Sequence, residues 1–156
     1  MVATRFAVAA HILLLLAGSG PERAERPASG GSPATSARLA VIVNTNPVVV
    51  RRITGQLARA GLIRVYRGPG GAELARPARD ITLDDVWGAV NAGSVRPLVP
   101  LHPASATADP SVRDMQAVLA GAFGQAEAAF RQALGRTTLE GLIGETRGKA
   151  AHVEAA

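Results

Sequence analysis

The stretch NTNPVVVRRITGQLARAGL, residues 44–62, permits few structures. Asn46 ahead of Pro47 supplies a side-chain cap and a first-turn proline, and Gly61 supplies the stop, so the segment between them is bounded as one helix. Val49, Val50, Ile53, Leu57 and Ala60 fall at helical spacing as an inward face, leaving Val48, Arg51, Arg52, Gln56 and Arg59 nearer solvent. Upstream, Thr35 or Ser36 can cap a shorter helix ending near Asn44, with Leu39, Ala40 and Val43 on its buried side. Two short helices joined by a turn of three or four residues make a helix-turn-helix.

The next segment completes that unit. The period of LIRVYRGPGGAELARP changes from helix to strand, with Gly68 to Gly71 as the turn of a basic hairpin, the position of a wing. In DITLDDVWGAVNAG, Thr82 and Asp85 have the spacing of a capping box, and Leu83, Val86, Trp87 and Val90 the spacing of a packed helix. RPLVPLHPASATA is proline-punctuated and irregular. Asp109 and Pro110 then open the longest periodic segment. Its Val112, Met115, Leu119, Ala122, Ala126 and Ala129 keep near-heptad spacing, and Phe123, Phe130 and Leu134 widen the stripe. A helix that long on a chain of 156 residues needs something outside its own subunit to cover it. TTLEGLIGETR reads as a short last helix capped by Thr137 with Glu140, and the tail after Gly148 is expected to fray.

Charge singles out the same region. Residues 38–79 hold eight arginines against one acid, Glu73, within a chain of net charge +5. Arginine favours bidentate contacts to phosphate or guanine. The start of the second helix, at Asn46, Pro47 and Val48, is where a recognition helix reaches base edges, and its N-terminus attracts phosphate. Arg51 and Arg52 lie one turn in, placed to fork onto guanine or grip backbone. Arg67 is placed to enter a narrow minor groove, with Gly68 and Gly70 letting the hairpin backbone approach a phosphate.

Other chemistries find little support. With no cysteine, disulfides, thiolate zinc sites and cysteine-ligated clusters are excluded. His11, His102 and His152 are far apart in sequence, and no nucleophile has a nearby base. Asp84 and Asp85 read as first-turn caps meeting the helix dipole. Neither a catalytic nor a metal site, nor any cofactor, is expected.

The ordered run NTNPVVVRRITGQLARAGLIRVYRGPGGAELAR followed by ITLDDVWGAV closely resembles the Rrf-two family of bacterial winged helix-turn-helix transcription regulators. The resemblance reaches back to RFAVAAHILLLLA and forward to HPASATADPSV and TTLEGL, sparing only residues 18–33, which are longer than usual. It implies a homodimeric repressor on a palindromic operator in double-stranded DNA, with the long helices pairing the subunits through Val112, Met115, Leu119, Ala122, Phe123, Ala126 and Phe130. By position it implies base reading by Arg51, a minor-groove role for Arg67, and phosphate contacts near Thr35, Ser36, Thr45 and Asn46. The family's sensory members carry three cysteines before the long helix. This chain has none, and Asp109 stands in one of those places, so it is similar to the cysteine-free branch.

The expected architecture is mainly α with a small β-hairpin. A winged helix-turn-helix domain spans residues 1–95, with 18–33 a flexible loop. An irregular linker spans 96–108, the long C-terminal dimerisation helix and terminal helix 109–148, and a tail 149–156. The apolar opening AVAAHILLLLAGSG, preceded by Arg5, also has the form of a signal peptide. A secreted basic protein cleaved after residues 1–18 is therefore the competing reading. Set in the helix-turn-helix context, Phe6, Ala10, Leu13, Leu14 and Ala17 instead form the buried face of a first helix, in a cytoplasmic protein with no membrane partner. A third reading keeps the fold but gives it a small-molecule effector or a protein partner, under the long helix, in place of DNA control.

Overall fold

The computed structural model describes residues 2–18, 34–66, 71–92, 97–102 and 109–154. Helix α1 spans Val2–Gly18, α2 Ser36–Ile42 and α3 Pro47–Arg59. Strands β1 (Ile63–Val65) and β2 (Ala72–Leu74) pair antiparallel with Ile63 opposite Leu74, Arg64 opposite Glu73 and Val65 opposite Ala72. A 3-10 turn at Ala78–Asp80 leads into α4 (Leu83–Asn91), α5 (Pro110–Gly135) and α6 (Leu139–Glu154). The fold is mainly helical with one small two-stranded sheet, as the sequence predicts.

One core joins these elements. Ala9, Ile12 and Leu13 of α1, Leu39 of α2, Val50, Ile53 and Leu57 of α3, Ile81, Val86 and Val90 around α4, and Leu139 of α6 are essentially inaccessible to solvent. The apolar opening is thus a structural element: removing it would take three fully buried side chains from the core. Its deepest positions are Ala9, Ile12 and Leu13, while Phe6, Ala10, Leu14 and Ala17 are only partly covered, so the buried face is turned from the expected one. A run that is apolar on every side carries no phase for periodicity to read. Among the described residues no helix is long and apolar enough to cross a membrane.

Helix α4 is the hub. Thr82 accepts from the Asp85 amide at 3.2 Å while Asp85 accepts from the Thr82 amide at 2.9 Å, which closes the capping box. Asp84 does not cap; it takes a bidentate contact from the Arg131 guanidinium of α5, whose Nη2 donates at 3.0 Å. The Trp87 ring receives Phe6 and Phe130 edge-on, at centroid distances of 5.3 and 5.0 Å. Arg131 and Phe130 dock the C-terminal end of α5 on α4. The segment 97–102 lies along α5, where the Leu98 amide donates to Glu127 at 3.1 Å and Gln116 donates to the His102 carbonyl at 3.1 Å.

Two features of the C-terminus differ from the expected. The cap of α6 is Thr138, whose hydroxyl accepts from the Gly141 amide at 3.2 Å; the Thr137 hydroxyl instead donates back to Ala133 at 3.3 Å. Thr138 is held by an antiparallel bridge to Thr82, with Leu83 donating to Thr137 at 2.9 Å and Leu139 donating to Ile81 at 3.0 Å. That bridge sets the start of α6, and the helix continues past Gly148 to Glu154.

Candidate nucleic-acid interface

The site is built on two helix ends closed by the same device. At the end of α2, Asn44 adopts a left-handed conformation (φ 49°) and the Thr45 amide reaches back to the Ala40 carbonyl at 2.8 Å. At the end of α3, Gly61 takes φ 70° and the Leu62 amide reaches Leu57 at 3.0 Å. Each closes the helix with a backbone bond spanning five residues, the pattern of a left-handed C-terminal cap. Asparagine is among the few non-glycine residues that tolerate this conformation. These two turns aim α2, α3 and the hairpin relative to one another.

The starts of the helices are closed by side chains. Thr35 accepts from the Arg38 amide at 3.4 Å and Asn46 accepts from the Val48 amide at 2.8 Å. Capping uses an acceptor, so the hydroxyl hydrogen of Thr35 and the amide hydrogens of Asn46 remain as donors, the kind of group a phosphate oxygen needs. Ser36, Thr45 and Pro47 are half-buried around them. Arg51 and Arg52 are exposed on α3, as are Arg38 on α2 and Arg59 at the end of α3.

The inward face of α3 is Val50, Ile53, Thr54 and Leu57. Val49 and Ala60, expected inside, are exposed. Thr54 takes the place because its hydroxyl donates to the Val50 and Arg51 carbonyls at 3.0 and 3.1 Å, which satisfies it within its own helix. Gln56, expected toward solvent, instead turns to α4 and donates to the Val90 carbonyl at 3.3 Å.

Electrostatics divides the arginines into two groups. The ion pairs among the described residues join Arg64 to Glu73, Arg76 to Asp85, Arg79 to Asp80 and Arg131 to Asp84. None includes Arg38, Arg51, Arg52 or Arg59, and residues 34–59 contain no acid at all. Beside them the hairpin is knitted by its own side chains: the Tyr66 hydroxyl donates to Glu73, and that bond holds the phenol above its ordinary pKa. Arg67, Gly68 and Gly70, the expected wing contacts, lie outside the described residues, as do residues 19–33 of the expected loop.

A helix-turn-helix with a hairpin wing, presenting on one face arginines that have no ion-pair partner among the described residues, defines a winged-helix DNA-binding regulator. The profile of the Rrf2 family, described as iron-dependent transcriptional regulators, matches residues 2–145, and the chain belongs to this family. It is 38% identical over 90 residues to a Bacillus subtilis (strain 168) protein named as the HTH-type transcriptional regulator YwnA, a match covering 58% of this chain and 59% of that protein's length. Among solved structures it is similar to one described as a DNA-binding protein (29% identity, TM-score 0.67, covering 89% of this chain and 98% of that one). It shares its fold with a transcriptional regulator from Lactobacillus plantarum (22% identity, TM-score 0.70, covering 99% and 97%). The family comprises transcription regulators, not enzymes. Its description implies iron, but this chain has no cysteine, and among the described residues no three histidine or acidic side chains gather as metal ligands. The residues present do not fit a thiolate-held cluster.

Proposed function

We propose that the chain is a cytoplasmic, homodimeric repressor that binds a palindromic operator. Residues 1–95 serve as the DNA-binding unit and the helices of 109–148 as the pairing unit. The observation that carries the reading is the acid-free sequence of α2 and α3, whose four exposed arginines have no ion-pair partner among the described residues. Such a surface is unfavourable on its own account, since like charges gather without compensation, and becomes favourable against a polyanion. In this arrangement α3 enters the major groove, with Arg51 and Arg52 toward guanine or backbone. Thr35, Ser36, Thr45 and Asn46 meet phosphates with their remaining donors, and Arg67 of the wing enters the minor groove.

The second support is the exposed apolar stripe of α5. Two identical heads joined through it would set half-sites about one helical turn apart, or a multiple of that. Gel shifts on DNA from the chain's own upstream region, with random duplex as competitor, test the proposal. Arg51→Ala and Arg67→Ala should each weaken specific binding by about 1–3 kcal/mol, and affinity should fall steeply with salt. Specific binding left unchanged by both substitutions would overturn the assignment of these residues.

A further inference from the structure

The first turn of α3 holds three consecutive valines that meet very different fates. Val50 is fully buried, whereas Val48 is 64% and Val49 38% exposed. An exposed valine gains nothing from burial and is a weaker helix former than alanine. The exposed surface of Val48 and the exposed third of Val49 therefore contribute nothing to the fold of the single chain.

Their placement supplies another role. At 3.6 residues per turn, Val48 shares the line opposite the core with Arg52 and Arg59, at i, i+4 and i+11. Val49 lies to one side of that line and Arg51 to the other. The outward face at the start of α3 is thus two isopropyl groups set among guanidiniums, with no acid between residues 34 and 59. Val41 and Ile42, at the end of α2, are exposed too. An apolar protein partner would meet the uncompensated charge of this frame, whereas a polyanion carrying apolar groups between its charges matches both features. The floor of the DNA major groove offers one such apolar group on its base edges, the C5-methyl of thymine. Arginine reads guanine through O6 and N7, but an isopropyl group can neither donate nor accept, so that methyl is the feature it can distinguish.

We propose that Val48 and Val49 read thymine through its methyl group, so that each half-site pairs a guanine facing Arg51 or Arg52 with thymine at the neighbouring steps. This rests on the DNA-binding reading above and deepens it.

The test uses the full chain and a duplex that it enriches from a random library. Each thymine of that duplex is replaced in turn by deoxyuridine, which differs only in lacking the methyl. One or two positions per half-site should lose about fourfold in affinity per methyl. Val48→Ser or Val49→Ser, which sets a hydroxyl in place of the isopropyl group, should abolish the preference at its own position. Arg51→Ala should weaken binding to both duplexes and leave their ratio intact. Equal affinity of the unaltered protein for thymine and uridine at every position would overturn the proposal while leaving DNA binding standing. So would a preference that persists in the Val48→Ser/Val49→Ser double variant. Failure to enrich any duplex is a separate result, and it would overturn the DNA-binding reading together with this one.

Discussion

Tyr66 sits at the base of the wing and is the chain's one tyrosine, so its ionisation can be followed by ultraviolet absorbance without interference from another phenol. Its hydroxyl donates to Glu73, and the bond raises the phenol's pKa above the ordinary 10.0, with the nearby Arg64 opposing the rise. A raised pKa means that the folded state favours the protonated phenol. The stabilisation from this bond is therefore complete below the ordinary value and disappears as pH climbs through the raised one. Glu73→Gln should bring the titration back toward that of a free tyrosine; an unchanged titration curve would show that the bond does not persist in solution. The Tyr66–Glu73 bond crosses a hairpin turn and follows from strand register, which periodicity alone does not supply. Elsewhere sequence and structure part at single residues where a polar group changes sides. Thr54 enters the core because its own helix satisfies its hydroxyl, which turns the inward stripe of α3 away from Val49, and Gln56 leaves solvent for a carbonyl on α4. A short helix shows which residues are apolar, but the alternatives its polar side chains have are set by elements distant in sequence.

Helix ends are more legible than helix faces, because capping is local chemistry. Asn46 and Pro47, Gly61, Thr82 with Asp85, and Asp109 with Pro110 all bound helices where their spacing places them. The element most exposed to a single change is α4, which packs against α1, α3 and α5 and is started by the reciprocal box of Thr82 and Asp85. Thr82→Ala removes the acceptor for the Asp85 amide and the hydroxyl that donates to the Asp85 carboxylate at 2.9 Å. It should cost about 0.5–2 kcal/mol, measured as a lower urea midpoint with an unchanged slope, and Trp87 fluorescence reports the transition from the centre of the helix. No loss of stability would mean that the bridge from Thr82 to Thr138 holds the start of α4 unaided. That bridge also accounts for the shifted start of the last helix: Thr138, not Thr137, begins α6, because strand-like pairing with a residue 56 positions earlier decides which threonine faces the helix. Asp84 departs from its expected capping role for the same reason, since its partner Arg131 lies 47 residues away.

At the scale of the molecule, α5 carries the unmet requirement. It is 26 residues long and has no buried residue, which at 1.5 Å per residue makes a rod about 39 Å long. Its last turns are docked through Phe130 and Arg131, whereas Val112, Met115, Val118 and Leu119 in its first half are 42–73% exposed. Phe130, expected in the dimer stripe, has its ring against Trp87 of its own chain, so in the proposed dimer the first half of α5 carries the pairing. The double substitution Met115→Glu/Leu119→Glu sets carboxylates one turn apart on that stripe without touching the core around α1, α3 and α4. In the proposed dimer it should give a monomer by analytical ultracentrifugation, since two apolar contacts on each subunit become four buried like charges. The heads should remain folded, with Trp87 fluorescence unchanged, because its ring contacts come from Phe6 and Phe130. Operator affinity should then fall by about 100-fold or more, because each head must bind its half-site without the effective concentration supplied by its partner. A monomer with full affinity would place all recognition within one head and leave the pairing of half-sites without a role. A dimer that survives both glutamates would move the interface off this stripe.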